Sequence, residues 1–121
     1  MAGTVLVVDD SVSIRQLVAF SLKAAGYKVV SAIDGKEALE KIDGTKFDMV
    51  ITDLNMPEMN GIEFIKELRG RPEYEVTPVF MLMSDAQESR KPEVSKAGAT
   101  GWIVKPFTPQ QLIKVVNEIA K

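Results

Sequence analysis

Five short runs of apolar, mostly β-branched residues punctuate the chain, at 4–8, 27–33, 47–52, 78–83 and 101–104. They are continuous more than alternating, the pattern of strands covered on both faces. Helical spacing fills the intervals. Over 13–25, Ile14, Leu17, Val18 and Leu22 share one face, and Gly26 is placed to end that helix. Asp34-Gly-Lys-Glu37 resembles a capping box ahead of Ala38, Leu39 and Ile42, and Asn60-Gly-Ile-Glu63 repeats it ahead of Ile65 and Leu68. Thr108 supplies a cap, Pro109 the first helical position and Gln111 the reciprocal partner, before a stripe of Leu112, Val115, Val116 and Ile119. No repeat, low-complexity segment or linker interrupts these five rounds of strand and helix. The pattern predicts one α/β domain, a doubly wound parallel sheet of five strands with five helices on its two faces. Residues 84–97 fit least well. They are polar, and Pro92 falls where a helix interior is expected. Either that helix starts late, with Pro92 in its first turn, or it is kinked and mobile.

Composition narrows the function classes. The 121 residues suffice for one domain with a real core, and 45% hydrophobic with 26% charged content reads as globular rather than disordered. A net charge of -2 without a basic block argues against nucleic acid as the main ligand. No apolar stretch approaches the ~18 residues of a membrane span, and the N-terminus does not read as a secretory signal. There is no cysteine, hence no thiol or disulfide chemistry, which is compatible with the cytoplasm. There is no histidine either, which removes Ser-His-Asp and Cys-His mechanisms and argues against zinc or copper.

The polar residues collect at strand ends. Asp9 and Asp10 follow the first run, Asp53 the third, Ser84 and Asp85 the fourth, and Lys105 the fifth. Open parallel sheets bind ligands at that edge, where the strand order reverses. If the first and third strands are neighbours there, Asp9, Asp10 and Asp53 converge. Three clustered carboxylates repel and raise one another's pKa. A hard divalent cation resolves this, and oxygen ligands suit Mg²⁺. Lys105 would lie on the opposite side of Asp53. An ammonium and a Mg²⁺ flanking one carboxylate suit an incoming phosphoryl group, with Asp53 as the nucleophile that forms an acyl phosphate. A strand-end Asp taken alone is ordinarily a cap or loop residue, as Asp34 is, and Lys105 alone would be a solvated lysine. Their joint placement points to a site.

The stretches "VLVVDDS", "ITDLNMPEMNG" and "GATGWIVKPF" closely resemble the receiver domains of two-component response regulators, of the stand-alone chemotaxis type. The resemblance covers essentially the whole chain, so residues 1–121 read as a single receiver domain with no output domain after Lys121. It implies the flavodoxin-like strand order 2-1-3-4-5 and a cytoplasmic signalling protein. It implies that Asp53 accepts the phosphoryl group from a histidine kinase, which supplies the missing histidine. Asp10 matches the acid that ligates Mg²⁺ directly. Asp9 is its helper in the ion's outer coordination sphere, and Asn55 offers a backbone carbonyl. Lys105 matches the lysine on the phosphoryl group, with a commonly cis peptide to Pro106, and Trp102 matches an aromatic switch position. Asn55 and Asp85 flank the path of the hydrolytic water. Output would run through the fourth helix, fifth strand and fifth helix to a partner protein such as a flagellar motor switch protein.

One position departs from the family. A Thr or Ser hydroxyl is usual at the end of the fourth strand, and alignment from Pro78 or from Lys105 places Met83 there. A thioether cannot donate to a phosphoryl oxygen. Ser84 follows one residue later, and adjacent strand residues face opposite ways, so Ser84 would need a bulge or a register slip to take that role. Together with Pro92 this raises a degenerate receiver, acting as a phosphorylation-independent interaction module, as the alternative. An aspartyl phosphatase or phosphomutase would need a second acid where Asn55 stands. A Rossmann-type nucleotide domain would need a Gly-rich loop where "DDSVSIRQ" stands.

Overall fold

The computed structural model describes residues 3–120. Five strands, β1 (Thr4–Val8), β2 (Lys28–Ala32), β3 (Met49–Asp53), β4 (Val79–Ser84) and β5 (Gly101–Lys105), pair in parallel in the order β2-β1-β3-β4-β5. Helices α1 (Val12–Ala24) and α5 (Pro109–Ala120) cover one face. Helices α2 (Gly35–Ile42), α3 (Gly61–Arg69) and α4 (Lys91–Ala97) cover the other. Strand residues therefore alternate between two cores. Val5, Val7, Ile51 and Leu82 pack with Val18, Leu22, Leu112 and Val116. Leu6, Val8, Val50, Met81 and Met83 pack with Phe64, Ile65 and Leu68. Every residue of β3 is buried, which is why the sequence shows unbroken apolar runs rather than alternation.

Element boundaries moved where backbone groups found partners off the ladder. Tyr27 was expected in β2, but its N–H donates to the Leu22 carbonyl at 3.0 Å and closes the end of α1. The left-handed Gly26, φ 97°, makes that closure sterically free. Phe47 was expected in β3, but its N–H donates to the Tyr74 hydroxyl at 3.2 Å. At the other end, pairing of Asp53 with Leu82 and of Ser84 with Lys105 carries β3, β4 and β5 one residue further than expected.

The caps behave as the sequence indicates, with one change. Asn60 and Glu63 form the reciprocal box, and so do Thr108 and Gln111. At α2, Asp34 accepts from the Glu37 N–H, but the Glu37 carboxylate reaches past the cap to the Ile33 N–H. Pro92 lies in the first turn of α4, so the late start is the arrangement adopted. A 3-10 segment, Asp85–Arg90, fills the preceding residues. Ile119, the last residue of the α5 stripe, is 39% exposed. No helix among the described residues is long and apolar enough to cross a membrane.

Gly61 sets how closely the β3–α3 connection folds back. Its N–H donates to the Leu54 carbonyl at 2.8 Å, and a Cβ there would sit 2.3 Å from the Asp53 carbonyl oxygen. Substitution Gly61→Ala must displace that backbone. The expected cost is about 1–3 kcal/mol, the usual range for overpacking, read as the change in urea-unfolding free energy. An unchanged midpoint would show that the connection gives way freely.

Candidate functional site

The C-terminal edge of the sheet gathers four charged side chains from three strand ends. Val8 pairs with Ala32 and with Thr52, so the chain leaves β1 directly beside the end of β3. This brings Asp9, Asp10 and Asp53 together, with one carboxylate oxygen of each within 4.8 Å of the others. The Asp9 N–H donates to the Ala32 carbonyl at 3.1 Å, and Asp9 Oδ1 accepts from the Ser11 N–H at 2.8 Å, just ahead of α1. Lys105 enters from the end of β5. Its Nζ lies 2.8 Å from Asp53 Oδ1 and 3.9 Å from Asp9 Oδ2, so it engages Asp53 directly and Asp9 only through charge. Asp9 and Asp53 are buried while Asp10 is exposed. The opening to solvent is therefore on the Asp10 side.

Burial pushes the Asp9 carboxyl up to about 6; the Ser11 N–H opposes this, Asp53 adds to it, Lys105 opposes it and Asp10 adds to it. Asp9 Oδ2 is buried without a hydrogen-bond partner, and such an oxygen is costly unless something positive or a donor comes to it. Three convergent carboxylates, an unpartnered buried oxygen and no nitrogen or sulfur donor suit a small hard cation such as Mg²⁺.

The remaining predicted residues lie around this centre. Asn55 is exposed on the loop that leaves Asp53. The β4–β5 ladder runs to its end without a bulge, so Met83 pairs with Val104 and Ser84 with Lys105. Met83 points into the core under α3 and is 1% exposed. Ser84 shares the row of Lys105, and its N–H donates to Gln87 Oε1 at 2.8 Å. Trp102, 37% exposed, sits on the α4 side of β5. A groove of about 450 Å³ links Asp85 and Lys105 past Trp102 to Gln111 and Val115 of α5. The peptide between Lys105 and Pro106 is cis.

Two residues escaped the sequence reading. Lys91 places its ammonium 5.1 Å from the centre of the Trp102 ring, a cation–π contact between elements that no local pattern links. Arg15 reaches back from α1 to the Asp9 carbonyl, Nη1 to O 2.6 Å.

Fold and site together define a doubly wound α/β domain with an acidic pocket and one lysine at the carboxyl edge of its sheet. The family model for the response regulator receiver domain matches residues 5–117, and the chain belongs to that family. It is 41% identical over 109 residues to the chemotaxis protein CheY1 of Helicobacter pylori, covering 88% of each chain. It is 37% identical to the chemotaxis protein CheY of Thermotoga maritima across the whole of both. The solved chemotaxis response regulator CheY4 of Vibrio cholerae superposes with a TM-score of 0.93 at 46% identity, covering 98% of this chain and 99% of that one.

The Asp9 carboxyl yields a pH prediction. Its folded pKa of about 6 lies above the ordinary 3.8, so the protonated form stabilises the fold below about pH 4 and that stabilisation is lost as pH rises through 6. At about 1.4 kcal/mol per unit, the loss is roughly 2–3 kcal/mol. In EDTA at pH 7, Asp9→Asn should be the more stable protein by that order in urea unfolding, and the two should converge toward pH 4. Parallel pH profiles would show that Asp9 carries no such strain.

Proposed function

We propose that this domain is a phosphorylation switch in which Asp53 accepts a phosphoryl group from a histidine kinase and the modified domain changes its binding to a partner protein. The contact of Lys105 Nζ with Asp53 Oδ1 at 2.8 Å, inside an acidic pocket, carries this reading. In the transfer, Asp53 attacks phosphorus, the bond to the donor histidine nitrogen breaks, and an acyl phosphate forms. Lys105 exchanges its carboxylate contact for a phosphoryl oxygen and offsets charge there. Asp9, Asp10 and Asp53, with the Asn55 backbone carbonyl, would hold Mg²⁺, which would supply positive charge to the transfer. Asn55 and Asp85 flank the approach of the water that later hydrolyses the acyl phosphate. New charge at Asp53 biases the segment from Ser84 through α4 together with Trp102. The surface of α4, β5 and α5 then meets its partner. The chemotaxis names of the relatives support a flagellar motor switch protein in that role, in the cytoplasm.

Met83 supports a second reading. With a buried thioether at the expected hydroxyl position, the domain is a phosphorylation-independent interaction module. One experiment separates the two. Intact mass is measured after acetyl phosphate treatment with and without Mg²⁺, for the wild type and Asp53→Asn, while the single tryptophan reports fluorescence. The switch requires a Mg²⁺-dependent adduct of one phosphoryl group, absent in Asp53→Asn, with a change in Trp102 emission. An adduct with silent emission means uncoupled chemistry, and no adduct leaves the constitutive module.

A further inference from the structure

Asp10 is exposed and lies beyond the end of β1, so no ladder bond holds it. Its place among the carboxylates depends on the backbone at either side. On the far side stands Ser11, whose N–H is tied to Asp9 Oδ1 and whose hydroxyl caps α1. On the near side is the Asp9–Asp10 peptide. Among the described residues, the one side chain bonded to that peptide is Arg15, whose Nη1 donates to the Asp9 carbonyl oxygen at 2.6 Å. A peptide is planar, so holding its oxygen restrains the plane that carries the nitrogen from which Asp10 departs. The planar guanidinium holds its donors in a fixed fork. Because it bonds a carbonyl, it leaves the carboxylate oxygens of the cluster to a cation.

We infer that Arg15 is a positioning residue for the acidic pocket: it sets the Asp9–Asp10 peptide plane and thereby aims the Asp10 carboxylate at Asp53. This rests on the cation reading above, and the experiment tells the two apart. Mg²⁺ binding is measured by calorimetry for the wild type, for Arg15→Met, which keeps the apolar stem, and for Arg15→Lys, which keeps one donor. Circular dichroism monitors the fold in EDTA. Removing a partner that orients metal ligands commonly weakens metal binding by about 10- to 100-fold. Arg15→Met should show such a loss at unchanged fold, with part of it restored in Arg15→Lys. In acetyl phosphate reactions the same variant should need at least about ten times more Mg²⁺ for half-maximal phosphorylation, while its rate at saturating Mg²⁺ stays near wild type. Mg²⁺ binding equal to wild type, or a fall in the saturating rate alone, would overturn the assignment. An Arg15→Met chain that did not fold would overturn it too, by making Arg15 a residue of the fold. A wild type that bound no Mg²⁺ would sink the cation reading itself.

Discussion

Three carboxylates within 4.8 Å repel one another, and the sheet holds them together nonetheless. What makes this possible is the burial of β1 and β3 on both faces, since an apolar ladder this well covered can bear an unfavourable edge. Asp9 takes the largest share of the strain, because it is fully buried and one of its oxygens has no partner. Lys105 offsets part of the repulsion but commits its short contact to Asp53. The resting pocket is therefore short of positive charge, and of negative charge it has more than it can neutralise. A divalent cation would offset that excess.

The same edge connects chemistry to surface with few moving parts. Lys105 ends β5, and Trp102 stands three residues earlier in that strand, on the side facing α4. Ser84 lies opposite Lys105 and leads into the 3-10 segment, whose Gln87 ties back to the Ser84 N–H. A 3-10 stretch of this length has poorer hydrogen bonds than an α-helix and is suited to rearrangement. Its far end passes into α4, where Lys91 covers the Trp102 ring. The C-terminus of α4 is also anchored, since Arg69 donates twice to the Gly98 carbonyl and once to Tyr74. Both ends of the helix are therefore held by side chains, the first turn by the Arg90–Glu93 pair and by Lys91 over Trp102, the last by Arg69.

Much of this was legible in the sequence, for physical reasons that also mark the limit. Buried parallel strands announce themselves as apolar runs, and caps announce themselves through residues three apart, so the element order could be read directly. Strand ends could not, because the N–H groups of Tyr27 and Phe47 were claimed by Leu22 and by the Tyr74 hydroxyl, partners set by tertiary packing. The convergence of Asp9, Asp10, Asp53 and Lys105 followed from their strand-end positions. The full burial of Asp9 and the reach of Arg15 did not, since both depend on how the chain turns from β1 into α1.

Met83 and Ser84 show what the pleat decides. Without a bulge, Met83 must enter the core under α3 while Ser84 shares the row of Lys105. Burying the thioether there adds apolar contact and gives up a donor. The single hydroxyl left at this end of β4 belongs to a residue whose N–H is already engaged by Gln87. Any hydrogen bond from Ser84 toward a phosphorylated Asp53 must therefore be made from the row of Lys105, at the start of the 3-10 segment rather than within the strand. On the proposed switch reading, coupling would run through the 3-10 segment that Ser84 opens and not through a hydroxyl inside β4.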